Sequence, residues 1–141
     1  NDLAHKEGNT AIHLCASLEQ DIATLENDEK LLFLDDFNLK EPGLNTVIRS
    51  SFELLGLQTF FTCGDNEVRA WTISTNTPAP LAAGSIHTDF ERGFIKAEVF
   101  HYKDILEYGS EKGLKEQGLI RQEGKTYIVQ DGDCIFFKFN V

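Results

Sequence analysis

LQTFFTCG spans residues 57–64 and EVRAWTIS spans residues 67–74. From Leu57 onward the apolar residues recur with a period of two, the repeat of a strand whose side chains alternate between faces. The dipeptide Asp65-Asn66 separates the two runs and is a turn signal, so together they predict a β-hairpin. Before Leu57 the repeat is helical. LNTVIRSSFELLG (44–56) sets Leu44, Val47, Ile48, Phe52 and Leu55 on one stripe, with Pro42 suited to its first turn and Gly56 ending it. The change of period places a division of the chain near residue 57.

Upstream, LAHKE (3–7) reads as a helix end stopped by Gly8, and TAIHLC (10–15) as a short strand around Ile12 and Leu14. ASLEQDIATLE (16–26) turns helical through Leu18, Ile22 and Leu25. Asn27 or Asp28 is positioned to cap DEKLLFLDDF (28–37), whose Leu31, Leu34 and Phe37 share a face. Downstream, PLAAGSIHTDFERG (80–93) predicts a helix or a pair of helical turns. FIKAEVFHY (94–102) is a strand, with Phe94, Lys96, Glu98 and Phe100 on one face and Ile95, Ala97 and Val99 on the other. YKDILEYGSEKGLKEQG (102–118) is helical, cut by Gly109, Gly113 and Gly118. TYIVQDGDCIFFKFNV (126–141) predicts two strands around Asp131-Gly132-Asp133. Strands and helices in this order predict an α+β fold: a small sheet with helices on one face, suited to a β-grasp (ubiquitin-like) domain.

With 141 residues, 41% of them hydrophobic and 26% charged, the chain can bury a real core as one domain or one and a half. No apolar run approaches the length of a membrane span, and no charged-then-apolar signal opens the chain. The three cysteines, Cys15, Cys63 and Cys134, are odd in number and widely spaced. They argue against a disulfide framework or a zinc knuckle and for a reducing cytoplasm. A start at Asn1-Asp2 with no methionine anywhere suggests a piece of a longer protein. The net charge of −10 is uneven: residues 1–45 hold ten acids against three Lys/Arg, residues 46–141 thirteen against ten. The second part leaves room for a basic face, which phosphate binding requires.

Catalytic patterns are absent. There is no GxxxxGK[ST] or GxGxxG to cradle a phosphate and no GxSxG. His5, His13, His87 and His101 lack metal-ligand spacing. AAGSIHTDFERGF (82–94) offers His87 and Asp89, but residues two apart on a helix do not face each other. That stretch is a structural element, with Phe90 and Phe94 anchoring it, or a recognition element. Trp71 reads as a packing residue of the hairpin. Arg69 and Arg92 suit phosphate or a carboxylate, against the simpler reading of surface ion pairs.

Taken together, LLGLQTFFTCGDNEVRAWTI, PLAAGSIHTDFERGFIKAEV and EGKTYIVQDGDCIFFKFNV, in this order, resemble the C-terminal region of the YchF family of Obg-like ATPases. The resemblance runs from about Thr10 to Val141. It implies that residues 57–141 are a TGS domain, a β-grasp module, and that residues 1–56 are a mostly helical remnant of an α/β G domain. It also implies that Cys15, Ala16 and Ser17 belong to the loop on the base side of a nucleotide site. The phosphate loop, the magnesium-binding motif and the base-specificity motif of the family would lie upstream. This chain alone would then hold no cofactor, and ATP or GTP with magnesium would be bound and hydrolysed by the longer parent. Two roles for the second part follow. One is a regulatory ribosome- or RNA-binding module contacting phosphates through Arg69, Arg92, Lys96, Arg121 and Lys125, provided these share a face. The other is a protein-interaction module, or one docking on the missing G domain. The apolar stripe of residues 44–56 also predicts self-association if its partner is lost.

Overall fold

In a computed structural model, which describes residues 2–64 and 67–140, the period-two runs form β1 (Leu57–Cys63) and β2 (Val68–Ser74). They pair antiparallel from Leu57–Ser74 to Cys63–Val68. The Asp65-Asn66 turn lies outside the described residues. The chain divides into two compact units at residues 55/56.

The first unit holds four helices: α1 (Asp2–Lys6), α2 (Ala16–Thr24), α3 (Asn27–Asp36) and α4 (Gly43–Leu54). Residues 9–15 are irregular, so the strand expected at 10–15 does not form. Its alternation had no neighbouring strand to pair with in this unit, and a lone strand leaves its backbone polar groups unmatched. Neither Asn27 nor Asp28 caps α3. The N-terminal contact is made from inside the helix, where the Glu29 carboxylate accepts the Glu26 N–H at 3.2 Å. The start of α4 is held by Glu19 of α2, which accepts the Gly43 and Leu44 amides at 2.7 and 3.2 Å. Those amides are free donors of a helix first turn, and a carboxylate is favoured there. Ile22 and Leu34 are buried, whereas Leu31, Leu44, Ile48 and Leu55 remain at least half exposed.

The second unit is a five-stranded mixed sheet. Its elements after β2 are α5 (Ala79–Gly84), α6 (Thr88–Arg92), β3 (Phe94–His101), α7 (Tyr102–Tyr108), α8 (Glu111–Glu116), β4 (Arg121–Glu123) and β5 (Asp133–Phe139). The strand order is β2-β1-β5-β3-β4. β1 and β5 run parallel, registered at Phe61–Cys134, and β3 pairs antiparallel with both β5 and β4. The expected hairpin around Asp131-Gly132-Asp133 is therefore absent. Residues 126–130 form a loop that bridges Pro78 through Ile128 and accepts a hydrogen bond from Gln58 of β1 at the Val129 carbonyl, and the strand next to β3 is the short β4 instead.

One sheet face carries the main core. Phe60, Ala97, Val99 and Ile135 are buried against Ala79, Ala82 and Ala83 of α5. The small side chains let that helix lie close to the sheet, and Phe60 meets Phe137 edge to face at 5.9 Å. A second, smaller cluster lies on the opposite face, where Phe100 and Cys134 pack with Leu114 of α8. Helices thus cover parts of both faces. Simple alternation had put Phe94 with Lys96 and Phe100. A register shift between Phe94 and Lys96 breaks the alternation, and Phe94 turns into the main core with Ala97 and Val99. Gly109 ends α7 in the left-handed conformation, at φ +73°. Gly113 sits inside α8 and interrupts nothing.

Gly93 lies where the turn after α6 meets the end of β5. The Asn140 N–H donates to the Gly93 carbonyl at 2.9 Å, and a Cβ on Gly93 would strike the Asn140 carbonyl backbone. Gly93→Ala is expected to destabilise the second unit by about 1–3 kcal/mol in urea unfolding. Gly124→Ala, at a position open on all sides, should stay within about 0.5 kcal/mol of the parent.

Candidate functional site

The residues with chemistry fall into three places. The first is the start of α2. Cys15 precedes the helix in an extended conformation, φ −101° and ψ 104°, and its thiol meets the Ser17 hydroxyl at 3.3 Å. Hydrogen bonds from the Ser17 hydroxyl and the Leu18 amide draw the thiol below its usual range. Cys15 lines an open cleft of about 670 Å³ in the first unit, with Glu19 and the irregular 10–14 segment; Ala16 and Ser17 do not line it. The carboxylate of Glu19 is spent on the α4 amides. Among the described residues no three His, Cys, Asp or Glu side chains are grouped to hold a metal ion. Together with the missing phosphate loop, this donor set does not fit a nucleoside triphosphate with its magnesium.

The second place is the helix-covered face of the sheet and its edges. Residues opposite each other in register share a face. Arg69 lies opposite Thr62, Trp71 opposite Phe60, and Arg121 opposite Val99. Arg69 and Arg121 therefore share a face with the core, but on the two edge strands, four strand spacings or about 19 Å apart. Arg69 stacks on the Trp71 ring at 4.3 Å, and the Trp71 indole N–H donates to the Thr62 hydroxyl at 2.9 Å. Trp71 is thus a packing residue of the hairpin. Arg92 ends α6, and Lys125 lies in the exposed turn after β4.

Arg121 belongs to a buried network. Asp133 is 1% exposed. Its carboxylate accepts the Tyr127 hydroxyl at 2.6 Å and the Gln130 amide at 2.9 Å, and Arg121 approaches it at 3.6 Å. Arg121 also donates to the Tyr127 oxygen at 3.1 Å. Burial, then the neighbouring Asp133, pushes the Tyr127 phenol far above its ordinary value, so it stays a donor at any physiological pH. The sequence reading missed this network because nothing in TYIVQDGD distinguishes a buried aspartate from a turn aspartate.

The third place is the half of the opposite face that α7 and α8 leave open. Lys96 and Lys138 lie opposite each other there. Lys96 donates to Gln122 at 2.9 Å. Lys138 pairs with Glu98 at 3.6 Å and sits over the Phe136 ring at 4.5 Å. Phe136 is 47% exposed. Of the five cations expected to act together, Lys96 alone points into this patch; Lys138 was not singled out. Beside it, past Phe61–Cys134, β1 and β5 separate. The gap is a groove of about 410 Å³ walled by Phe90, Phe136, Phe137 and Phe139.

His87 does meet Asp89, Nδ1 to Oδ2 at 3.4 Å, against the expectation that the two would not face each other, because His87 is the cap before α6 and lies outside its helical turn. It caps α6, accepting the Asp89 amide at Nδ1 at 3.2 Å. His101 does the same for α7 with the Lys103 amide. AAGSIHTDFERGF is accordingly a capped two-helix element that seats Phe90 against Phe139, ring centroids 3.8 Å apart.

Residues 57–140 match the family model described as YchF-GTPase_C, a protein of unknown function (DUF933). A "Ribosome-binding ATPase YchF" of Haemophilus influenzae is 54% identical over 140 residues, covering 99% of this chain and 39% of that protein. Its namesake in Bacillus subtilis is 51% identical over 140 residues, covering 99% of this chain and 38% of that protein. The solved Schizosaccharomyces pombe YchF GTPase superposes with a TM-score of 0.78 at 35% identity, covering 93% of this chain and 34% of that one. The chain spans about two fifths of the length of the curated relatives it matches.

Tyr127→Phe removes the hydroxyl that the buried Asp133 accepts. It should cost about 1.5–3 kcal/mol of stability, read from urea midpoints, and an unchanged midpoint would show that the network is slack.

Proposed function

The chain belongs to the YchF family, and on that premise we propose that residues 57–141 are its TGS domain, a β-grasp module that meets the ribosome or RNA. The strand order β2-β1-β5-β3-β4, with first and last strands parallel at the centre, supports the β-grasp reading. Residues 1–56 are, in this reading, the last part of the nucleotide-binding G domain and its connecting helices, with Cys15–Ser17 on the base side. ATP or GTP hydrolysis with magnesium belongs to the longer parent, in the cytoplasm where ribosomes are. The observation that carries the proposal is the similarity, over almost this whole chain, to proteins named as ribosome-binding ATPases.

Among the cations, Lys96 is the best placed for phosphate, because Lys138 stands opposite it and Phe136, the next residue of β5 on that face, offers an aromatic surface under Lys138. Arg92 and Lys125 are exposed but separate from that patch, and Arg69 and Arg121 are engaged by Trp71 and Asp133. A second reading, a protein-docking module, is favoured by the aromatic groove between β1 and β5. The exposed Leu44, Ile48 and Leu55 of the first unit suit a helix made to pack on the remainder of the G domain.

Co-sedimentation of the 141-residue chain with purified ribosomes across a salt series tests the proposal. Each lost phosphate contact should flatten the log–log salt slope by about 0.7, so Lys96→Ala combined with Lys138→Ala should flatten it by about 1.4. Arg121→Ala should leave the slope unchanged. Binding indifferent to salt would favour the docking module, and no binding at low salt would move recognition to the rest of the parent. The exposed α4 stripe also predicts concentration-dependent self-association in sedimentation velocity, which Ile48→Glu should abolish.

A further inference from the structure

The two central strands of the sheet bring a pair of thiols together. Cys63 ends β1, and Cys134 is the second residue of β5. The Phe61–Cys134 register puts both on the same face, since Cys63 lies two residues beyond Phe61. Both pack in the cluster of Phe100 and Leu114. Both line one small cavity of about 30 Å³. Neither is in a disulfide. Cys63 is partly exposed and Cys134 is 3% exposed, so one is open to a solute and the other waits behind it. A reachable thiol with a second thiol behind it is the pairing that lets a sulfenic acid be resolved to a disulfide.

We propose that Cys63 and Cys134 form a redox-sensitive dithiol that closes to an intrachain disulfide under hydrogen peroxide. The Cys63 thiolate attacks one peroxide oxygen, and the O–O bond breaks. Hydroxide leaves and takes up a proton as water, with Cys63 left as a sulfenic acid. The Cys134 sulfur, giving up its proton, then attacks the Cys63 sulfur. The S–O bond breaks, the S–S bond forms, and the hydroxide released joins that proton as a second water. The two thiols lose two electrons in all, and one peroxide becomes two waters. Cys63 lies diagonally from Cys134, two residues past the partnered Phe61, so closing the bond takes a local shift of the β1 end toward β5, and the cavity that both side chains line leaves room for the rotamer change. The bond would fasten β1 to β5 where their pairing ends, at the mouth of the aromatic groove. Oxidation would thereby narrow the groove, and reduction would release it.

Burial pushes the Cys134 thiol up to about 12. Resolution is therefore the slow step at neutral pH. Its rate should rise about tenfold per pH unit as the thiolate fraction grows.

The test is peroxide treatment of the 141-residue chain, alkylation under denaturing conditions, intact mass and peptide mapping. The expected result is a mass lower by about 2 Da before alkylation. One of the three thiols should remain alkylatable, mapped to Cys15, with dithiothreitol restoring all three. Cys15→Ser should form the same bond, and Cys63→Ser should form none; a folded circular-dichroism spectrum makes each variant interpretable. Closure should accelerate between pH 7 and pH 9. Accumulation of sulfinic acid at Cys63 while Cys134 stays alkylatable would overturn the proposal. So would a disulfide that includes Cys15. The wild-type peptide map decides between these results even if Cys134→Ala fails to fold.

Discussion

The parallel pairing of β1 with β5 is the constraint on which the second unit is built. Strands at opposite ends of an 86-residue stretch, Gly56 to Val141, lie side by side. Parallel neighbours cannot be joined by a tight turn, so everything between them must leave the sheet and return. The chain does this by sending β2 to one edge and β3 and β4 to the other. The intervening helices pack on the faces, α5 and α6 on one and α8 on the other. The pairing is reinforced from the loop before β5. The Gly132 amide donates to the Thr59 carbonyl at 2.8 Å, the Thr59 amide to the Asp131 carboxylate at 2.8 Å, and the buried Gln58 amide group to the Val129 carbonyl at 2.6 Å. Three contacts from one short loop tie the start of β5 to the first residues of β1.

Past Phe61 and Cys134 the same two strands part, and the features of functional interest gather there. The aromatic groove opens between them, the Lys96–Lys138–Phe136 patch lies beside it, and Cys63, one of the two thiols, stands at its mouth. A sheet that is tight at one end and split at the other presents side chains from both faces to one opening. By contrast, the Tyr127–Asp133–Arg121 network sits at the closed end, where it satisfies a fully buried carboxylate. Arg121 looks basic in the sequence and serves structure.

Much of the fold was legible because it rests on local pattern. The period-two runs of β1 and β2, the helical stripe of α4, and the stops at Gly8 and Gly109 all follow from side-chain spacing and backbone freedom at single residues. Errors arose wherever a neighbour distant in sequence decided. TAIHLC alternates like a strand but has no partner strand. TYIVQ looks like the arm of a hairpin, yet the place beside β5 is taken by β1, seventy residues away in the chain. The three residues of β4 are too few to carry a period. Phe94 faces the core because of a bulge that no spacing rule announces.

The amino-acid order by itself determined most of the helices and the strands β1, β2, β3 and β5, that the chain buries a core, and, through three long blocks in order, the family to which it belongs. Those properties are carried by neighbours in sequence, within a turn or a few alternations. Tertiary structure alone decided which charges meet. It separated Arg69 from Arg121 by the width of the sheet, brought Lys138 opposite Lys96, buried Asp133 beneath Tyr127, and gathered Cys63 and Cys134 into one cluster. The physical reason is strand register. A side chain's face and neighbours in a sheet are set by its pairing with residues dozens of positions away, and a shift of one residue reverses the face.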